Sequence, residues 1–209
     1  MFYDYIIKNY KENEPILVAD IQIDGMTENN IRQQIMRLTD SGKLKRYDTG
    51  IYYIPKKSVF KSGSFPAFSD VVERKYLRDK SGKIGYITGL GFANMAGVTT
   101  QVPNVTEVAT NRATKNYKET TLGKNRVVIR MPKTEVTDDN ALLLQFLDLL
   151  KDINLYSEIG GDELKEAVIS YMQKNGITFN ALMPFLDYYP EKIYKNMYEA
   201  GVLNAVSTQ

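Results

Sequence analysis

Between Thr27 and Ser41 the chain carries Asn29, Asn30, Gln33, Gln34 and Arg37. A carboxamide can bond adenine through both its N–H and its C=O, and a guanidinium can bond guanine through two N–H groups. Each good pair contributes roughly 1–3 kcal/mol of discrimination against a wrong base. Spacing matters as much as type: on a helix, positions 29, 33 and 37 follow one another about one turn apart, with 30 and 34 beside them. Ile31, Ile35 and Leu38 recur at i, i+4 and i+7, an apolar stripe on the other side. The segment therefore reads as a helix that buries aliphatic side chains and offers amides and an arginine to the outside. Thr27 suits its N-cap, Glu28 its first turn, and Gly42 its end. Both Thr27 and Glu28 stand where contact with phosphate or cytosine is feasible.

After this helix, Lys43 to Tyr47 and Ile51 to Ile54 are two β-prone runs around Asp48, Thr49 and Gly50. The spacing predicts a three-residue hairpin loop in which Gly50 supplies the positive φ, and Pro55 closes the second strand. Lys43, Lys45, Arg46, Lys56 and Lys57, with Thr49 at the tip, are candidate phosphate ligands. Upstream, Phe2 to about Lys11 has helical spacing, and "ILVADIQID" is expected to hold a short strand and a short second helix ended at Gly25. Helix, strand, helix, helix, hairpin is the order of a winged helix-turn-helix.

The Ser- and Gly-containing stretch "KKSVFKSGSFPAFSD" reads as a linker, with a boundary near residues 58 to 66. Residues 1–60 are then a DNA-binding domain and 61–209 a second domain, helical from about 138. In the second domain "SDVVERKYLRDK" is expected to be a helix capped by Ser69, and "GYITGLGFANMAGV" a short helix between tight turns. "NVTEVATN", "YKETTL" and "NRVVIRMP" read as strands, the last two joined at Gly123 and Lys124. "DDNALLLQFLDLLKDI" reads as a helix with an acidic start, apolar over more than half its circumference and so core-forming. Further helices follow, with Gly176 as a C-cap and breaks at Pro184 and Pro190. The fold class expected is α+β: an N-terminal winged helix-turn-helix, then a mixed α/β domain with a helical C-terminal tail.

The chain contains neither cysteine nor histidine. Disulfides, thiolate metal sites, a cysteine nucleophile and the commonest general base are thereby excluded. The glycine-containing runs match neither a P-loop nor a dinucleotide fingerprint, and Ser62 and Ser64 lack a base to activate them. Asp138 and Asp139 could hold Mg²⁺, but such a pair at a helix start is more often a cap. The reading is therefore of a protein that is not an enzyme and needs no cofactor or metal. No signal peptide or membrane-spanning run is visible, which leads to a cytoplasmic expectation. The formal charge of +2 is uneven: 10 basic and 8 acidic side chains in residues 1–61, 12 and 6 in 62–135, and 5 and 11 in 136–209. The first two stretches suit a polyanion and the last does not. Lys115, Lys118, Lys124, Arg126 and Arg130 are either a polyanion or partner surface or ordinary solvent-facing strand positions.

The run "TGLGFANMAGVTTQVPNVTEVATN", preceded by "GIYYIP" and followed by "VVIRMP", resembles the AbiEi-like family of antitoxins and transcriptional regulators over about residues 2 to 153. "TTQVPNVTEVATN" is the most specific element of the likeness. The resemblance implies a type IV toxin–antitoxin component, encoded beside a nucleotidyltransferase-like toxin, that represses its own operon by binding inverted repeats. It places the DNA contacts on the helix from Thr27 to Ser41 and the wing around Asp48 to Gly50, and the neutralising role in the second domain. Direct contact with the toxin is not required in such systems. The expected partner is thus a palindromic duplex operator bound by a homodimer, with no membrane. The alternatives are a winged-helix adaptor that docks protein partners, and a metal-dependent nuclease using the acidic pair.

Overall fold

A computed structural model of the chain describes residues 2–57 and 63–203. It is a mixed α+β protein that divides into two compact units, Met1–Lys75 and Tyr76–Gln209. The division falls later in the chain than position 60, and part of the expected linker, residues 58–62, lies outside the described residues. Ser64 is held by the first unit, its Oγ lying 2.9 Å from Asn13 Oδ1 and 2.8 Å from the Lys56 carbonyl. Among the described residues no helix is long and apolar enough to cross a membrane.

The first unit comprises α1 (Phe2–Asn9), β1 (Ile16–Leu17), a 3-10 turn (Val18–Asp20), α2 (Glu28–Asp40), β2 (Lys45–Asp48), β3 (Ile51–Tyr53) and α3 (Phe68–Val72). Its three-stranded antiparallel sheet has the order β1-β3-β2. Ile6 and Tyr10, Ile16, Ile21, Ile31 and Ile35, and Leu44 form one buried cluster beside it. The expected second helix is not there: after Asp20 the chain runs extended through Ile21 (φ −81°, ψ 115°) and turns at Asp24 and Gly25. The β-branched Ile21 and Ile23 alternate with Gln22 and Asp24, a pattern that buries one side of an extended chain, not one face of a helix. The hairpin loop is also shorter than expected. Asp48 pairs with Ile51 and the register slips between Arg46 and Asp48, so the loop is Thr49–Gly50 with Tyr47 bulged. Gly50 does take φ +72°.

α3 begins one residue before Ser69. Its cap position is Ala67, Ser69 Oγ instead bonds Asp70 Oδ1 (3.3 Å), and a π-helical turn, Glu73–Leu77, follows. Arg74 in that turn pairs with the nearly buried Asp20 at 3.0 Å, tying α3 to the 3-10 turn.

The second unit opens with the small hairpin β4 (Arg78–Asp79) and β5 (Gly82–Lys83), then β6 (Gly85–Thr88) and α4 (Gly89–Met95). Where the sequence suggested only a short helix between turns, a strand precedes it. Gly85 has no room for a side chain: a Cβ there would sit 2.2 Å from the Tyr76 carbonyl and 2.5 Å from that of Ala109. β7 (Thr106–Thr110), β8 (Tyr117–Leu122) and β9 (Asn125–Arg130) complete a four-stranded sheet of order β6-β7-β9-β8, in which only the β7–β9 pair is parallel. Leu122 faces Asn125 across the expected Gly123–Lys124 turn.

The rest is helical: α5 (Ala141–Lys151), α6 (Ile153–Tyr156), α7 (Gly161–Asn175), α8 (Phe179–Leu182), a 3-10 turn (Met183–Tyr188) and α9 (Lys192–Glu199). α5 starts after the acidic pair, so Asp138 and Asp139 do not occupy its first turn. The segment before it is braced by Asn140, which accepts from the Thr137 N–H (2.8 Å) and donates to the Glu135 carbonyl (2.8 Å). Phe146, Leu147, Leu150 and Ile153 lie in a core with Phe92, Leu164, Val168, Leu182, Ile193 and Met197. α7 ends at Gly176 in the left-handed region (φ +65°) as its sequence predicted.

The run Thr99-Thr100-Gln101 has a defined structural task. The Glu158 carboxylate accepts from the Thr100 N–H (2.7 Å), Thr99 Oγ1 (2.8 Å), Thr100 Oγ1 (3.0 Å) and Gln101 Nε2 (3.0 Å). The Glu158 N–H closes the clasp on the Val98 carbonyl (3.0 Å). The Thr100 backbone N–H, then the side chains of Thr99, Gln101 and Thr100, depress the Glu158 carboxyl from 4.5 to about 2. A depressed carboxyl stabilises the folded state fully above its unfolded value and loses that contribution as pH falls through its folded value. Glu158→Gln should therefore unfold at lower denaturant than the parent near pH 7, and an acid titration should show the gap closing between pH 4.5 and about 2. A gap unchanged down to pH 2 would refute the clasp.

Candidate nucleic-acid interface

α2 is fixed from both ends and from behind. Thr27 Oγ1 accepts from the Asn30 N–H (3.3 Å), Glu28 sits in the first turn, and the Ser41 N–H returns to the Arg37 carbonyl (3.1 Å). Gly42 at φ +73° lets the chain double back, and the Leu44 N–H reaches the Leu38 carbonyl (3.1 Å). Ile31 and Ile35 are buried and Leu38 partly so, which leaves the opposite side outward.

With successive residues turned by roughly 100°, Asn29, Gln33, Met36, Arg37 and Asp40 form the centre of that outward side. All five are exposed. Asn30 and Gln34 sit at its margin, and Gln34 is half-buried. The side chains of Asn29, Gln33 and Arg37 bond to nothing else among the described residues, so their donors and acceptors face solvent. Thr27 is committed as an acceptor to the helix cap, yet its hydroxyl can still donate. Glu28 pairs with Arg32 (3.3 Å), an exposed i,i+4 contact of small energy. Met36 and Asp40 were missed in the sequence, although they lie three and seven residues beyond Gln33, on its own face.

The register of the hairpin distributes its cations. Arg46 lies toward the tip, where its guanidinium donates to Thr49 Oγ1 (3.0 Å) and the Asp48 carbonyl (3.3 Å). Asp48 Oδ1 also accepts from the Thr49 N–H (2.6 Å), so Arg46 and Thr49 form one braced corner. Lys45 stands opposite Tyr53 at the open end of the hairpin, and exposed Lys56 and Lys57 follow just beyond Tyr53. Lys43 stacks its ammonium 4.7 Å over the Tyr3 ring. The twelve predicted residues are thus split between the outward side of α2, the hairpin tip and the hairpin's open end.

The basic residues of the second unit divide differently. Arg126 pairs with Glu119 (3.3 Å), and Arg130 with Glu107 (2.7 and 3.0 Å) while lying 5.2 Å over the Tyr117 ring. Lys115, Lys118 and Lys124 are exposed and make no ion pair among the described residues. Asp138 faces Arg78 at 3.5 Å, and no group of three or more metal-ligating side chains occurs among the described residues. A buried polar cluster joins Tyr86, which donates to Asp148 Oδ2 (3.0 Å), Lys151 (3.5 Å from Asp148 Oδ1) and Tyr189, which donates to the Leu144 carbonyl (3.2 Å). Burial first, then the Asp148 charge, pushes both phenols far above their ordinary range, so they act as donors that pin α5 to β6 and to the last 3-10 turn.

This α+β chain belongs to the family described as "Family of unknown function (DUF6088)", whose model matches residues 4–175. The match takes in the whole first unit from Asp4, the four-stranded sheet and α7. No curated protein matches the sequence.

Proposed function

We propose that the first unit is a winged helix-turn-helix module that binds duplex DNA in a sequence-specific way. α2 reads the major groove and the β2–β3 hairpin serves as the wing. The observation that carries this reading is the row Asn29, Gln33 and Arg37: three side chains of base-reading type one turn apart, unengaged among the described residues, on a helix locked into a core from behind. Helix, strand, turn, helix and hairpin in that order support it, with the 3-10 turn Val18–Asp20 and the extended segment to Gly25 in place of a full second helix.

The AbiEi-like resemblance extends the reading to an antitoxin that represses its own operon in the cytoplasm and counteracts a nucleotidyltransferase-like toxin. Repression is steric. A homodimer spans a palindromic operator whose half-sites lie roughly 34–36 Å apart, or a multiple of that, and excludes polymerase. The chain performs no catalysis in this account.

Lys45 and Arg46 are assigned to phosphate. Each phosphate contact contributes about 0.9 to the slope of log K against log salt. Lys45→Ala with Arg46→Ala should flatten that slope by roughly 1.8 on specific and random duplexes alike. Because Arg46 also braces Thr49, Lys45→Ala alone is the cleaner probe and should remove about half of that. A titration of DNA binding against salt in which neither variant changes the slope would remove the hairpin from the interface.

A further inference from the structure

Met36 stands on the outward side of α2 with 65% of its surface exposed, the only large hydrophobic of that helix so placed among the described residues. A single exposed methionine is ordinary on a protein surface. Its position is what gives this one meaning: it follows Gln33 by three residues and adjoins Arg37, inside the row of side chains that bond to nothing else among the described residues. The row offers adenine-reading amides at Asn29 and Gln33, a guanidinium at Arg37 and, between them, one flexible apolar side chain. In the major groove the apolar feature of a base edge is the thymine C5-methyl, and an unbranched thioether adapts its shape to such a group.

We infer that Met36 is a specificity residue that packs on a thymine methyl, and that the half-site read by α2 places this thymine within about two base pairs of an adenine bonded by Gln33. This rests on the DNA-binding reading above. Gln33 and Met36 are three residues apart, a rise of roughly 4.5 Å along the helix. Base pairs repeat every 3.4 Å or so along a strand, which sets the adenine and the thymine within about two base pairs of each other.

The test begins with selection of the preferred duplex from a randomised pool by the full-length chain. Each thymine of that duplex is then replaced in turn by deoxyuridine, which removes only the methyl group. At one thymine per half-site the parent protein should lose about fourfold in affinity, the value of burying one methyl-sized group. Met36→Ala should lose a similar factor on the unmodified duplex and be indifferent to deoxyuridine at that position, while Met36→Leu should keep the sensitivity. Circular dichroism should show both variants folded, since the side chain is exposed. A preferred duplex with no methyl-sensitive thymine, or a Met36→Ala protein that still senses the methyl, overturns the inference and leaves DNA binding standing. Failure to select any preferred duplex overturns both.

Discussion

Gln33→Ala and Arg37→Ala are each expected to weaken binding to the specific duplex by about 1–3 kcal/mol, roughly 5- to 150-fold, while binding to random duplex hardly moves. The asymmetry follows from where these side chains stand. Both are exposed, and neither side chain bonds to another among the described residues, so alanine removes no contact seen in the fold and should favour the helix. What is lost is base contact, which counts only on the right sequence. Random duplex is held chiefly through phosphates, by Lys45 and its neighbours in this account. A competition titration of both variants on specific and scrambled duplexes reads the difference directly. Equal losses on the two duplexes would show that α2 contacts backbone and does not read bases.

Phe146→Ala should cost about 3–5 kcal/mol of stability, the usual range for emptying a buried aromatic site. Phe146 is fully buried, its ring stacked on Tyr171 (centroids 5.9 Å apart, 6° between planes), with Phe92 meeting the same Tyr171 edge-on at 5.5 Å. The three aromatics join α4, α5 and α7, so one vacancy loosens three helices at once. In urea unfolding the midpoint should fall with little change of slope, and Phe146→Leu should fall less because it leaves a smaller void. Phe146→Ala within about 1 kcal/mol of the parent would mean that this core closes over the gap.

Local signals made part of this molecule legible from its residues. Thr27, the stripe Ile31, Ile35 and Leu38, and Gly42 state α2 almost completely; Gly50, the Gly123–Lys124 turn and Gly176 mark positions where backbone geometry restricts the residue. The readings that failed depended on partners distant in sequence or on competition between close alternatives. Ile21 and Ile23 are spaced for an extended chain, but two residues are too short a run to decide between strand and helix. β6 hides in a glycine-rich run because Gly85 is there to admit two carbonyls, and that need is visible only once Tyr76 and Ala109 are in place. Thr99, Thr100 and Gln101 are polar residues without evident purpose until Glu158, more than fifty residues on, arrives between them.

The outward row of α2 was readable as chemistry because its spacing is that of the helix itself. Met36 and Asp40 stand on the same outward side but are less evident from type alone: Met36 is apolar, and the carboxylate of Asp40 suits only cytosine while repelling phosphate. The distribution of the hairpin's cations could not be read at all, since one bulged residue, Tyr47, decides which end of the hairpin each side chain occupies.

The central claim, sequence-specific binding of duplex DNA by the first unit, is tested most directly by titrating the full-length chain against the duplex upstream of its own reading frame and against a scrambled duplex of equal length, at moderate salt. The account predicts a preference for the upstream duplex of at least about a thousandfold, persisting as salt is raised while both affinities fall. Equal affinity for the two duplexes would contradict it, and would leave the exposed row on α2 to a protein partner.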